Sequence, residues 1–201
     1  MKRVISALIA ILIAISGAAC VLRPPLINLE SLGTIGLVQL RTEAKGNLAE
    51  FATQVFLEVI LKSQPGTRIK ELGREDEVLG EIGADRMSSN AISDIGKKYG
   101  LDAVILGTLE VSDVKPRVDL ATIISTLSVS AEVEARMTAR LVLIRDGTTI
   151  WTGSGRNRET VANVSLVKGG GVFFDARDPE EAYGPLVRNL VLRASRDFQW
   201  R

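Results

Sequence analysis

Residues 103–106 (Ala-Val-Ile-Leu) form an unbroken apolar run within the stretch 99–111. A run with no polar alternation predicts a strand covered on both faces, as in an α/β sheet. The pattern just before it is helical. Ile92, Ile95 and Tyr99 share one face behind Ser88, Ser89 and Asn90, which are candidate N-caps. Gly100 suits a left-handed C-terminal cap, and Lys97 and Lys98 oppose the helix dipole in the last turn. The pattern predicts a helix running directly into a buried strand.

Upstream, residues 34–40 (Thr-Ile-Gly-Leu-Val-Gln-Leu) read as a first buried strand. A helix follows, with Asn47 and Glu50 spaced as a capping-box variant. Leu48, Phe51, Val55 and Val59 form its core stripe, widened by Ala52 and Phe56. Pro65-Gly66 marks a turn, residues 67–72 a short strand, and residues 71–81 a charged, solvated stretch. Together these make a β-α-β-α-β half. Residues 20–33, with Pro24-Pro25, read as a tether or a strand lying across the domain.

Downstream, residues 118–127 carry Val118, Leu120, Ile123, Ile124 and Leu127 in a mixed period that matches neither helix nor strand. From Val129 to Leu143 apolar residues alternate with Ser130, Glu132, Glu134, Arg136, Thr138 and Arg140, predicting a long strand with one wet face. Asp146-Gly147 predicts a hairpin turn, with residues 149–158 returning as the partner strand. Residues 163–177, holding Gly169-Gly170-Gly171, read as a loop. The last helix is capped by Asp178, with Pro179 at its first position and Glu181 completing the box. Ala182, Leu186, Leu190, Val191, Ala194 and Phe198 form its buried stripe. The fold class is α/β (α+β), one domain over residues 34–201 with a mixed sheet flanked by helices.

The amino end adds a location. Lys2 and Arg3 precede an apolar run over residues 4–15, and Ser16-Gly17-Ala18-Ala19-Cys20 follows. This is a secretory signal covering residues 1–19, too short to span a bilayer comfortably. A cysteine directly after two small residues resembles a bacterial lipobox, in which the sulfur is diacylated and the chain is cut before it. Gly17 and Ala19 also satisfy the small-x-small rule of ordinary signal peptidase, which would leave a soluble periplasmic protein. Cys20 is the sole cysteine, and an exposed free thiol is a liability in an oxidising compartment. Position 21 is Val rather than Asp, which by the lipoprotein sorting rule resembles an outer-membrane destination, on the periplasmic face.

Composition then narrows the chemistry. The chain has no histidine, so histidine triads, imidazole bases and histidine metal sites are excluded. One cysteine rules out an internal disulfide and a cysteine zinc site. Loss of Lys2 and Arg3 with the leader takes the formal charge from +1 to −1. With no basic stripe interleaved with aromatics, nucleic acid is not an expected partner, and no cofactor or metal is expected. The glycine triplet lacks the strand, helix amino end and Lys-Ser/Thr pair of a phosphate loop, so it reads as a flexible loop. Glu110, Asp113, Glu132 and Glu134 could be read as paired catalytic carboxylates. Arg136 and Arg140 beside Glu132 and Glu134 favour instead a solvated strand with cross-strand pairs. Trp151 reads as a lid on the core. Ile123, Ile124 and Trp200 remain as candidate interaction residues.

The order of elements resembles the family of the curli secretion-channel lipoprotein and the lipoprotein activators of penicillin-binding proteins. Their α/β domain is also like the amino-terminal domain of the Tol translocation protein. The matching features are Ile35-Gly36-Leu37-Val38-Gln39-Leu40, Tyr99-Gly100-Leu101-Asp102-Ala103-Val104-Ile105-Leu106-Gly107, and Leu141-Val142-Leu143-Ile144-Arg145-Asp146-Gly147 leading to Ile150-Trp151-Thr152-Gly153. The capped last helix completes the series. The resemblance implies a non-catalytic lipoprotein serving an envelope machine as a binding or assembly module, with an envelope protein or further copies of itself as partner. It also leaves open a subunit of an oligomeric outer-membrane channel, in which residues 118–127 and 161–174 would join a barrel. An envelope hydrolase is the reading from another class. Where relatives show Pro-Phe, the first strand here ends Gln39-Leu40-Arg41, and no long transmembrane hairpin is evident.

Overall fold

The computed structural model describes residues 24–117, 130–161, 164–167, 171–174 and 176–200. Cys20, Ile123 and Ile124, with the stretch 118–127, lie outside the described residues. In chain order the elements are β1 (Thr34–Val38), β2 (Lys45–Gly46), α1 (Leu48–Ser63), β3 (Arg68–Gly73), α2 (Glu75–Ile82), α3 (Ser89–Tyr99) and β4 (Ala103–Arg117). Then follow β5 (Ser130–Leu143), β6 (Thr149–Val161), β7 (Val164–Val167), β8 (Gly171–Phe174) and α4 (Pro179–Ala194). The main sheet runs β3-β1-β4-β5-β6, with β3, β1 and β4 parallel and the last two strands antiparallel. The mixed α/β sheet expected from the sequence is what forms.

Alternation along the strands sorts the core into two layers. Ile35, Leu37, Ala103, Ile105, Ala135, Met137 and Leu141 face α1 and α4 and are fully buried or nearly so. Val38, Val104, Leu106 and Val142 point the other way, toward Ile92 of α3. Both faces of 103–106 are therefore covered, as the apolar run requires. Ser88 caps α3 by accepting from the Ala91 N–H, and Gly100 closes it at φ 67°.

Small residues let α4 lie close to the sheet. β5 offers Ala131, Ala135 and Ala139 to that layer, and β6 offers Gly153 and Gly155. A Cβ at Gly153 would overlap the carbonyl oxygen of Ala194, and one at Gly155 that of Leu190. α4 is capped by Asp178, whose Oδ1 accepts from the Glu181 N–H at 3.1 Å. Its second turn kinks at Tyr183 (φ −144°), just before Pro185, which cannot donate to the preceding turn. Trp151 is buried against Phe198, with ring centroids 4.2 Å apart, and its Nε1 donates to Asp197. It is a core lid.

Three sequence expectations are corrected. Residues 163–177 are not simply a loop, because β7 and β8 pair antiparallel there and β8 pairs parallel with β2. The four-residue runs flanking the glycines are short but rich in valine and phenylalanine, which favour strands. Residues 71–81 are not merely solvated, because α2 buries Val78 and Leu79. Asn47 precedes α1 without capping it. Its side chain is used at long range, donating to the Ala176 carbonyl at 2.9 Å and accepting from the Tyr183 hydroxyl. The expected cross-strand pairs do form, with Glu134 taking its cations from Arg156 and Arg158 of β6.

Residues 24–33 lie along the domain. Leu29 is fully buried, and the Leu26 N–H donates to the Asp197 carbonyl at 2.9 Å. Gln64, at the end of α1, ties this segment down. Its Oε1 accepts from the Leu29 N–H, and its Nε2 donates to the carbonyls of Ile27 and Phe198, at 2.8 to 3.0 Å.

Candidate functional site

α2 and α3 cover only the β3-β1-β4 side of the second face. Over β4, β5 and β6 that face stays open and polar. Register sets the polar side chains in rows: Thr108, Thr138 and Ser154 lie side by side, and next to them Leu106, Arg140 and Thr152. Where the helices stop and this surface begins there is a cleft of about 640 Å³. Its walls are Arg41 after β1, Glu75 at the start of α2, and Asp85, Arg86 and Met87 between α2 and α3. Its floor is Leu106, Thr108, Thr138, Arg140, Thr152 and Ser154.

The chemistry of the cleft is that of a polar binding surface. Thr108 Oγ1 and Thr138 Oγ1 share a hydrogen bond of 2.7 Å, leaving further lone pairs toward the opening. Arg41 is held loosely by Glu75, at 3.8 Å. Among the described residues, Arg86 and Arg140 make no ion pair or side-chain hydrogen bond, and both are exposed. A guanidinium left without an acceptor is a ready bidentate donor to a carboxylate or phosphate. Leu106 adds an apolar spot to the floor and Met87 one to the wall.

Further along the same face, Glu134 sits between two arginines of β6. Arg156 Nε donates to its Oε1 at 2.8 Å and Arg158 Nε to its Oε2 at 3.1 Å. The Glu134 side chain is only 10% exposed. The hydrogen bond from Arg156, then that from Arg158, hold its carboxyl below the usual carboxylate range. A carboxylate clamped on both oxygens and held ionised is not available as a proton donor. Its folded pKa lies below its unfolded one, so its stabilising effect is complete above the ordinary glutamate range. That effect fades as pH falls through the lowered folded value. We expect Glu134→Gln to remove part of the acid limb of the stability–pH profile while leaving the slope at neutral pH unchanged. Superposable acid-unfolding curves for the two proteins would contradict this assignment.

Of the residues singled out from sequence, Trp200 is described and exposed. It lies at the end of the chain, whereas the cleft opens near Arg41 and α2. Among the described residues no group of three metal-binding side chains occurs, and no described helix is long and apolar enough to cross a membrane. Arg41, Arg86 and Ser154 carried no signal in the sequence, since each is an ordinary polar residue until the sheet brings it beside Arg140.

No family model and no curated protein matches the sequence. Solved structures do match. The chain is similar to PelC from Paraburkholderia phytofirmans, a dodecamer, at 12% identity with TM-score 0.51, over 90% of this chain and 96% of that one. It is also similar to the LpoB C-terminal domain from Salmonella enterica, at 12% identity with TM-score 0.42, over 64% and 84% of the two chains. A third is the lipoprotein GNA1162 from Neisseria meningitidis, at 20% identity with TM-score 0.38, over 64% and 83%. At these identities the PelC likeness shows a shared fold, nearly end to end in both chains. It supports the fold family and singles out no member of it.

Proposed function

We propose that the protein is a non-catalytic lipoprotein of the bacterial envelope, held by Cys20 to the periplasmic face of the outer membrane, that works by binding a partner. The observation carrying this reading is the cleft beside the open sheet face, where Arg86 and Arg140 present unpaired guanidinium groups over a floor of hydroxyls. Such a surface suits an acidic segment of an envelope protein. The clamping of Glu134 supports a binding role over a hydrolytic one.

One experiment tests both halves. Wild type, Cys20→Ser and Arg86→Glu/Arg140→Glu are expressed in the native envelope with labelled fatty acid and then cross-linked. We expect label in wild type and in the double reversal, but not in Cys20→Ser. The cross-linked partner should disappear from the double reversal, whose melting temperature stays near that of wild type because both side chains are exposed. Undiminished cross-linking by the double reversal would sink the cleft as the binding site. Label in Cys20→Ser would sink the anchor.

A second reading, assembly into a ring of copies, is supported by the likeness to a chain that forms a dodecamer. Ring-shaped particles of the detergent-extracted protein would favour it over a single-copy module.

A further inference from the structure

Among the described residues, the large apolar side chains left exposed are Leu26 at 69%, Leu61 at 37%, Leu192 at 44% and Trp200 at 56%. They are not scattered. Leu26 adjoins Ile27, and the N–H groups of both point at the Asp197 carbonyl. The Leu192 carbonyl accepts from Gln199 Nε2 at 3.2 Å, and Trp200 is the next residue. Leu61 lies one helical turn before Gln64, which binds the carbonyls of Ile27 and Phe198. Each of the four thus lies within three residues of the C-terminal turn at Arg196–Phe198 or of Gln64, or is joined through its own backbone by a hydrogen bond to a residue of that turn or beside it, at the end where the amino-terminal segment comes to rest. Lys62 and Arg196, each about three-quarters exposed, flank the group and hold their carboxylate partners Glu58 and Asp197 only loosely, at 3.7 and 3.8 Å.

Chain length bounds how far this end can lie from an anchor at Cys20. Pro24 is the first described residue, and Cys20 precedes it by four. Fully extended, four residues reach at most ~14 Å. A lipid on Cys20 therefore holds this end of the domain within that distance of the bilayer surface. Tryptophan, leucine and basic side chains make up the composition that settles at a headgroup interface, where the indole keeps its N–H wet and its ring dry.

We infer that the end of the domain carrying Leu26, Leu61, Leu192 and Trp200 is a membrane-docking face, which seats the protein on the lipid surface in a fixed orientation. The inference rests on the reading of Cys20 as the anchor. The interfacial contact supplements the acyl chains, since a single chain binds only marginally and a second signal makes retention stable.

Cys20 is the sole thiol, which separates the test from natural acylation. The chain from Cys20 onward, containing every described residue, is coupled through that thiol to a maleimide lipid in vesicles of phosphatidylethanolamine and phosphatidylglycerol. Brominated lipids quench only tryptophan that reaches the interface. Trp151 is buried in the core, so we expect quenching and a blue shift in the coupled wild type that vanish in Trp200→Phe. Both should weaken in Leu26→Ser/Leu192→Ser, with melting temperatures unchanged. Coupled protein whose emission is unquenched and identical to that of the uncoupled chain would overturn the proposal. So would unquenched emission in wild type together with loss of self-association in Trp200→Asp, which would assign the patch to a second copy. Failure of natural acylation at Cys20 would instead strike the anchor reading alone, leaving the vesicle result to judge the face.

Discussion

Gly153→Val is expected to be among the most damaging single substitutions in the chain. The new Cβ would meet the Ala194 carbonyl oxygen and the Trp151 ring. The first of these is helix backbone, which cannot rotate away as a side-chain tip can. Relief requires α4 to lift off β5 and β6, opening the layer that holds Leu186, Leu190 and Val191 against the sheet. Overpacking a tight core costs about 1–3 kcal/mol where side chains can adjust, so a backbone collision should reach about 3 kcal/mol or more. Against a typical total of about 5–15 kcal/mol that is a large fraction. For a domain of this size it lowers Tm by roughly 6–12 °C. Gly80→Ala is the matched control, because a Cβ there meets nothing within 4 Å; its melting temperature should stay level or rise slightly. Wild-type stability in Gly153→Val would mean that α4 does not lie where this packing puts it.

Gln64→Leu should come next, for the opposite reason. The volume is nearly kept, but the Leu29 N–H and the carbonyls of Ile27 and Phe198 lose their partner. Leu29 and Phe198 are fully buried, so water cannot replace the amide without the chain opening. An orphaned buried polar group costs about 1–3 kcal/mol, and the set should total about 3 kcal/mol. The loss is also local. Limited proteolysis should cut the variant within residues 24–33 under conditions where wild type is intact, before global unfolding begins. An uncut segment and an unchanged Tm would show that Gln64 is not what fastens it.

The regular elements were legible where burial imposes a period. β5 alternates because one face meets α4, and α1 and α4 carry stripes because each has one dry side. α2 escaped because only Val78 and Leu79 are buried in eight residues, too few to set a helical period. β7 and β8 escaped because each is four residues long and β8 opens on the last glycine of the triplet. Asn47 fits the local pattern of a cap, yet Ala176 and Tyr183 claim its side chain from more than a hundred residues away. The partners of Glu134 followed from register, since β6 pairs Arg158 with Glu134 and Arg156 with Arg136. The cleft was illegible for the same kind of reason. Arg41, Arg86, Thr108, Arg140 and Ser154 come from five segments that only the sheet brings together.

β1, β3 and β4 run parallel, and this gives the domain a near pole and a far pole. Gln64, Leu29 and the first described residues gather at the amino ends of these strands; Arg41 and Glu75 leave the carboxyl ends and wall the cleft. The five residues of β1 alone span about 17 Å. β4 continues beyond β1 through residues 109–117, roughly a further 30 Å in the same direction. A surface that seated the near pole, as proposed above, would therefore hold the cleft at a stand-off, with the β4–β5 arm reaching outward past it. Under the two proposals, seating at one pole and capture at the other would not compete for space, so both could proceed on the same molecule at once.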